Sequence, residues 1–75
     1  MDEIKLSGAV IKRREELNLT QEGLVAYIGE DKISLSTIKR VERRVKISDN
    51  KAMVIITALN MDYRDFMVVN EKRYF

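Results

Sequence analysis

The chain has 75 residues and a net charge of +2, with 45% hydrophobic and 35% charged residues. That composition suits one domain, 1–75, with a modest core under a large surface. Cysteine, histidine and proline are absent, which excludes disulfides and the usual structural zinc sites and removes the commonest general base at neutral pH.

The elements read as five helices in an all-α fold. In the first, Leu6, Val10 and Leu17 recur at helical spacing with Arg14 on the same stripe, and Asn18 is a plausible stop because asparagine tolerates the left-handed conformation. Thr20 then reads as an N-cap, with Gln21 and Glu22 in the first turn and Leu24, Val25 and Ile28 turned inward. Leu19 before that cap and Leu24 after it form a hydrophobic staple. In the second helix, Gly23 and Ala26 suit a close helix–helix approach, and Tyr27 is expected to be partly buried.

The third helix has two candidate caps. Ser34 is flanked by a staple, Ile33 with Ile38, whereas Asp31 follows Glu30 and has none. Ser34 is therefore preferred, with the helix running from about Leu35 to Arg43. Ser48 caps a fourth helix whose inward face is Ala52, Ile55, Ile56 and Leu59. Asp62 caps a short fifth helix, stapled by Met61 and Phe66. The stretch from about 4 to 67 forms the expected core region, and the tail 68–75 is ambiguous between frayed helix and short strand. Met53, Met61 and Met67 read as core filler.

The longest apolar run, Ala52–Leu59 broken by Thr57, is too short to cross a bilayer. The opening MDEIKLSG is acidic, lacks a long apolar stretch, and does not read as a signal peptide. No membrane association is expected, and a reducing cytoplasm is compatible.

Charge is unevenly placed. From Lys32 to Lys46 there are six basic residues, Lys32, Lys39, Arg40, Arg43, Arg44 and Lys46, against the single acid Glu42, so the rest of the chain is net acidic. On the third helix, Leu35, Ile38 and Glu42 share one face with Val41 beside it, and Ser36, Lys39, Arg40 and Arg43 share the other. An α-helix fits the major groove of B-DNA, where arginine and lysine donate to guanine O6 and N7. The blander reading is a solvated charged face, although such faces usually mix signs and this one does not.

Two charges sit on apolar stripes, Arg14 on the first helix and Glu42 on the third. A buried unpaired charge is costly, so the economical arrangement is that they meet as a bidentate pair joining the two helices. The alternative is that either side chain snorkels to water.

The stretch IKRREELNLTQEGLVAYIG followed by ISLSTIKRVE, continuing through SDNKAMVIITALNMDYRDF, resembles the lambdoid repressor and Cro family of helix-turn-helix proteins over residues 4–67. The resemblance implies a five-helix fold that places its third helix in the major groove, commonly as a dimer over half-sites about one helical turn apart. It implies that Gln21 contacts the phosphate backbone or braces the recognition helix. It places Leu35, Ser36, Lys39 and Arg40 toward bases or flanking phosphates, and Thr37 against the DNA backbone. Arg14 and Glu42 match the family's structural pair. The implied setting is a bacterial or phage-encoded cytoplasmic protein, found on the nucleoid when bound.

Three departures stand out. The turn before the third helix is longer by about three residues, Glu30–Lys32, and a bulge into solvent is favoured over a phosphate contact by Lys32. Where the family usually has glycine after the glutamate, this chain has Arg43, Arg44 and Val45, so the turn must be made by another route, with the arginines suited to phosphates or simply solvated. Leu35 is apolar where a polar reader is usual, and inward packing is favoured over contact with a thymine methyl.

The expected function is therefore sequence-specific binding of double-stranded DNA to regulate transcription, by repression. The chain would act as a homodimer on DNA or as the N-terminal domain of a larger regulator. A protein-interaction or antitoxin module that keeps the fold is the alternative. No phosphate-binding glycine loop, metal-ligand cluster or nucleophile beside a base is present in the sequence, so neither an enzyme nor a cofactor or metal is expected.

Overall fold

The computed structural model describes residues 1–68. Four α-helices follow one another, α1 (Glu3–Glu16), α2 (Gln21–Ile28), α3 (Leu35–Glu42) and α4 (Asp49–Ala58), and a 3-10 turn spans Tyr63–Phe66. No strand occurs among the described residues. The tail expected to be helix or strand falls, apart from Val68, outside them.

Each helix begins on a side chain that satisfies amides with no partner inside the helix. Asp2, not singled out from the sequence, accepts from the amides of Ile4 and Lys5 at 3.1 and 3.0 Å. Thr20 accepts from Gly23 at 2.9 Å, Ser34 from Thr37 at 3.2 Å and Ser48 from Lys51 at 3.3 Å. Three helices end on a left-handed residue, Asn18 (φ 60°), Arg44 (φ 64°) and Asn60 (φ 56°). Each is the C′ residue of a Schellman motif. After α1, for instance, the Leu19 amide reaches the Arg14 carbonyl at 3.0 Å and the Asn18 amide reaches Glu15 at 2.9 Å.

The expected fifth α-helix is a correction. Only four residues lie between the Asp62 cap and Met67, whose backbone is extended. The segment closes with the tighter i→i+3 bond, Asp65 amide to Asp62 carbonyl at 3.0 Å. The Phe66 side chain is nonetheless buried, and its carbonyl accepts from the Asp2 amide at 2.6 Å, which joins this turn to the start of α1.

The core gathers Leu6 and Val10 from α1, Leu24, Val25 and Ile28 from α2, Ile38 and Val41 from α3, and Ala52, Ile55 and Ile56 from α4. Ile33 and Leu59 close it from the connections. The staple partners Ile33 and Ile38 are both buried, while Leu19 and Met61 pack on its edge. Helix α3 packs against both α1 and α2, and α2 also meets α4. This arrangement holds α3 by one side and leaves its other side open.

Four smaller expectations need correcting. Tyr27 is 52% exposed, and Met53 and Met67 are exposed rather than core filler. Gly23 does not serve helix–helix approach. A Cβ there would meet its own cap, Thr20 Oγ1, at 3.2 Å, so its smallness makes room for the capping hydroxyl. Ala26 is exposed rather than set between helices.

Candidate nucleic-acid interface

Helix α3 is two-sided. Thr37, Ile38 and Val41 are buried, while Ser36, Lys39 and Arg40 on the helix, with Arg43 at its C-cap, are exposed. Lys32, Arg44 and Lys46 flank that face and are exposed too. Among the described residues no carboxylate forms a salt bridge with any of these six cations.

What orients α3 is one residue, Glu42. Arg14 Nε donates to Glu42 Oε2 at 2.7 Å and Arg14 Nη2 to Oε1 at 3.0 Å, a two-pronged pair between α1 and α3. Gln21 Nε2 donates to the same Oε1 at 3.0 Å, bringing in α2. The Glu42 carbonyl accepts from Ser7 Oγ at 3.1 Å, satisfying an acceptor left open at the helix end. The remaining prong of Arg14, Nη1, donates to the Leu19 carbonyl at 3.0 Å. The pair is largely enclosed, with side-chain exposures of 18% for Arg14 and 8% for Glu42. Hydrogen bonding to Glu42 raises the Arg14 pKa above the ordinary guanidinium value, outweighing the lowering from partial desolvation.

Of the two roles that the family resemblance gave Gln21, the geometry contains the bracing contact, one bond from its amide to Glu42. Thr37 is corrected. Its side chain is buried, 3% exposed, with its hydroxyl hydrogen-bonded to Ser34 Oγ at 3.0 Å rather than turned outward. Leu35 is half-buried and packs against the core, the inward choice. Ser36 faces solvent with its hydroxyl 3.0 Å from that of Ser34.

The extra residues before α3 form an outward turn. Gly29 has φ 126°, a conformation closed to side chains, and its carbonyl accepts from the Lys32 and Ile33 amides at 2.9 and 3.1 Å. Glu30, Asp31 and Lys32 are all exposed there, while Ile33 returns to the core. The turn after α3 does not take another route around the absent glycine. Arg44 adopts the left-handed conformation itself, with the Val45 amide on the Arg40 carbonyl at 2.9 Å and its own amide on Val41 at 3.0 Å.

Ser7 is the participant that sequence reasoning missed. Its signal was present, since Ser7, Val10 and Arg14 lie three and four residues apart on one helical stripe. Elsewhere, an open apolar groove of about 420 Å³ runs between the end of α2 and α4, lined by Ile28, Lys32, Met53, Val54, Thr57 and Ala58. Among the described residues, no group of three acidic or other metal-ligating side chains converges, and no helix is long and apolar enough to cross a membrane. Compared with protein-family models, with curated proteins and with solved structures, the chain matches none.

Proposed function

We propose that the protein binds double-stranded DNA sequence-specifically and regulates transcription, by repression through occupancy of an operator. In this reading α2, the outward turn and α3 work as a helix-turn-helix of lambdoid type, with α3 in the major groove. The observation that carries it is the outer face of α3, where Ser36, Lys39, Arg40 and Arg43 stand exposed without an acid among them. Every other polar group of the helix is turned into bonds that fix its orientation. A fixed helix with a donor-rich face free of carboxylates suits recognition, because base reading requires side chains held in register with the groove. Arg43 and Arg44 at its C-terminal end, with Lys32 and Lys46 beside it, suit phosphates, which position the protein without specifying sequence. In this reading the protein, encoded by a bacterium or a phage, acts in the bacterial cytoplasm, as a homodimer on DNA or as the N-terminal part of a larger regulator.

The test is equilibrium binding to duplex DNA of random sequence and to a selected sequence, each at two salt concentrations. Arg40→Ala weakens specific binding more than non-specific binding, whereas Arg43→Ala weakens both alike and lowers the salt slope by about one. Unchanged affinity in both variants would remove α3 from the interface.

A protein-interaction module is the second reading, and the apolar groove between α2 and α4 favours it. Absence of any salt-sensitive DNA retention would put that reading first.

A further inference from the structure

The bonding of each polar group around α3 limits which bases the helix can select. Reading adenine with two hydrogen bonds takes an asparagine or glutamine amide, and reading cytosine through N4 takes a carboxylate acceptor. The only amide among the braces of α3 is Gln21, which lies on α2 and not on α3, and one Nε2 hydrogen is spent on Glu42 at 3.0 Å. The only carboxylate on the helix is Glu42. Its Oε2 accepts from Arg14, and its Oε1 accepts from both Arg14 and Gln21. The Ser36 hydroxyl is engaged with Ser34 at 3.0 Å, and the Thr37 side chain is buried. What remains unpaired on the outer face, among the described residues, is three cationic donors, Lys39 and Arg40 on the helix and Arg43 at its C-cap, all exposed, and Arg43 lies toward the phosphate-facing end.

Guanine is the one base that presents two adjacent acceptors, O6 and N7, in the major groove. Thymine and adenine each offer a single acceptor there, enough for one bond but not for a matched pair. The planar fork of arginine fits the guanine pair, and lysine adds a point donor beside it.

Resting on the DNA-binding reading above, we infer that α3 is a guanine selector: the preferred DNA sequence carries guanine in the major groove opposite Arg40, with Lys39 donating to the same base or its neighbour. Lys39 and Arg40 are consecutive, about 1.5 Å apart along the helix axis, so the selected bases are the same or adjacent ones. Positions outside this step are chosen weakly, through backbone contacts and DNA shape.

The experiment selects bound duplexes from a random pool with the whole chain and then repeats the selection with Arg40→Gln. Arg40 is exposed and its side chain makes no hydrogen bond among the described residues, so the variant keeps the fold, which circular dichroism verifies. The expected result is a motif containing an enriched guanine that gives way to adenine in Arg40→Gln, since glutamine pairs with adenine N6 and N7. Replacing that guanine by 7-deazaguanine, which lacks the N7 acceptor, weakens wild-type binding on the order of tenfold. An enriched motif of A·T pairs alone, or a guanine preference that Arg40→Gln leaves untouched, overturns the inference while the DNA-binding reading stands. Salt-sensitive retention without any enriched base overturns it together with the sequence specificity of that reading, leaving DNA association alone. Failure of the wild-type chain to retain any duplex at low salt overturns both.

Discussion

Glu42 takes three side-chain hydrogen bonds on its carboxylate and one on its carbonyl, from residues of α1 and α2. Removing it leaves the Arg14 guanidinium partly buried with only the Leu19 carbonyl as partner. Glu42→Ala is therefore expected to destabilise the protein by about 3–5 kcal/mol, read from the urea midpoint. The double variant Arg14→Ala, Glu42→Ala should lose less than the two single losses added together, because each single change strands the other's charge. Additive losses would mean the pair is not a unit. Arg44 presents the opposite case. Its left-handed backbone disfavours any Cβ, so Arg44→Gly should stabilise the fold by up to about 1 kcal/mol. On the DNA-binding reading the same variant binds duplex more weakly, with a salt slope shallower by about one. A gain in stability combined with unchanged DNA affinity would show that this arginine contributes nothing to the interface.

At the scale of the element, the caps were legible and the exposures less so. Ser34 was preferred over Asp31 because it alone is flanked by a staple, and both staple residues are buried in the fold. Such signals are local, written within five residues. Ser34→Ala should cost about 1 kcal/mol, measured by thermal or urea unfolding, since it releases the Thr37 amide together with two hydroxyl contacts. Tyr27 and Met53 were misjudged because helical spacing gives the direction of a side chain and not what stands opposite it. Likewise the 3-10 turn was read as α-helix because its cap and staple are those of a helix, while its length is set by Met67 turning to extended backbone. The braces of α3 were half legible. Charges on apolar stripes announced Arg14 and Glu42, but Ser7 carries no charge to mark it. Within the 3-10 turn, the Arg64 guanidinium, followed by the Arg64 amide, holds the Asp62 carboxyl below its ordinary 3.8. A lowered carboxyl stabilises the folded form above its unfolded pKa, and that support is lost as pH falls through the lowered value. Both side chains are well exposed, so the effect is small and screened by salt. Acidification through the range below 3.8 should thus loosen Tyr63–Phe66 ahead of the helices, visible as early amide shifts at Arg64 in an NMR titration. Simultaneous change in α1–α4 would contradict a local effect.

Across the whole molecule, a modest net charge of +2 conceals a separation of sign, since the segment from Lys32 to Lys46 holds six cations and one enclosed acid. All six are exposed, and they occupy the outer face of α3 and its flanks. This separation sets an expectation for how steeply DNA binding depends on salt if the clustered cations make the phosphate contacts. Each phosphate neutralised contributes about −0.9 to the slope of log K against log salt concentration on B-DNA. If these six alone neutralise phosphates, the slope for one chain is about −5. A single chain on random duplex should fall between about −3 and −5, because the central donors Lys39 and Arg40 engage phosphates only when they are not reading bases. Two chains on one site can double that figure. A slope near −8 on a selected sequence is thus expected if two copies bind one site through these cations, and a slope near −5 on that same sequence would favour a single copy, with sedimentation of the complex to count the copies.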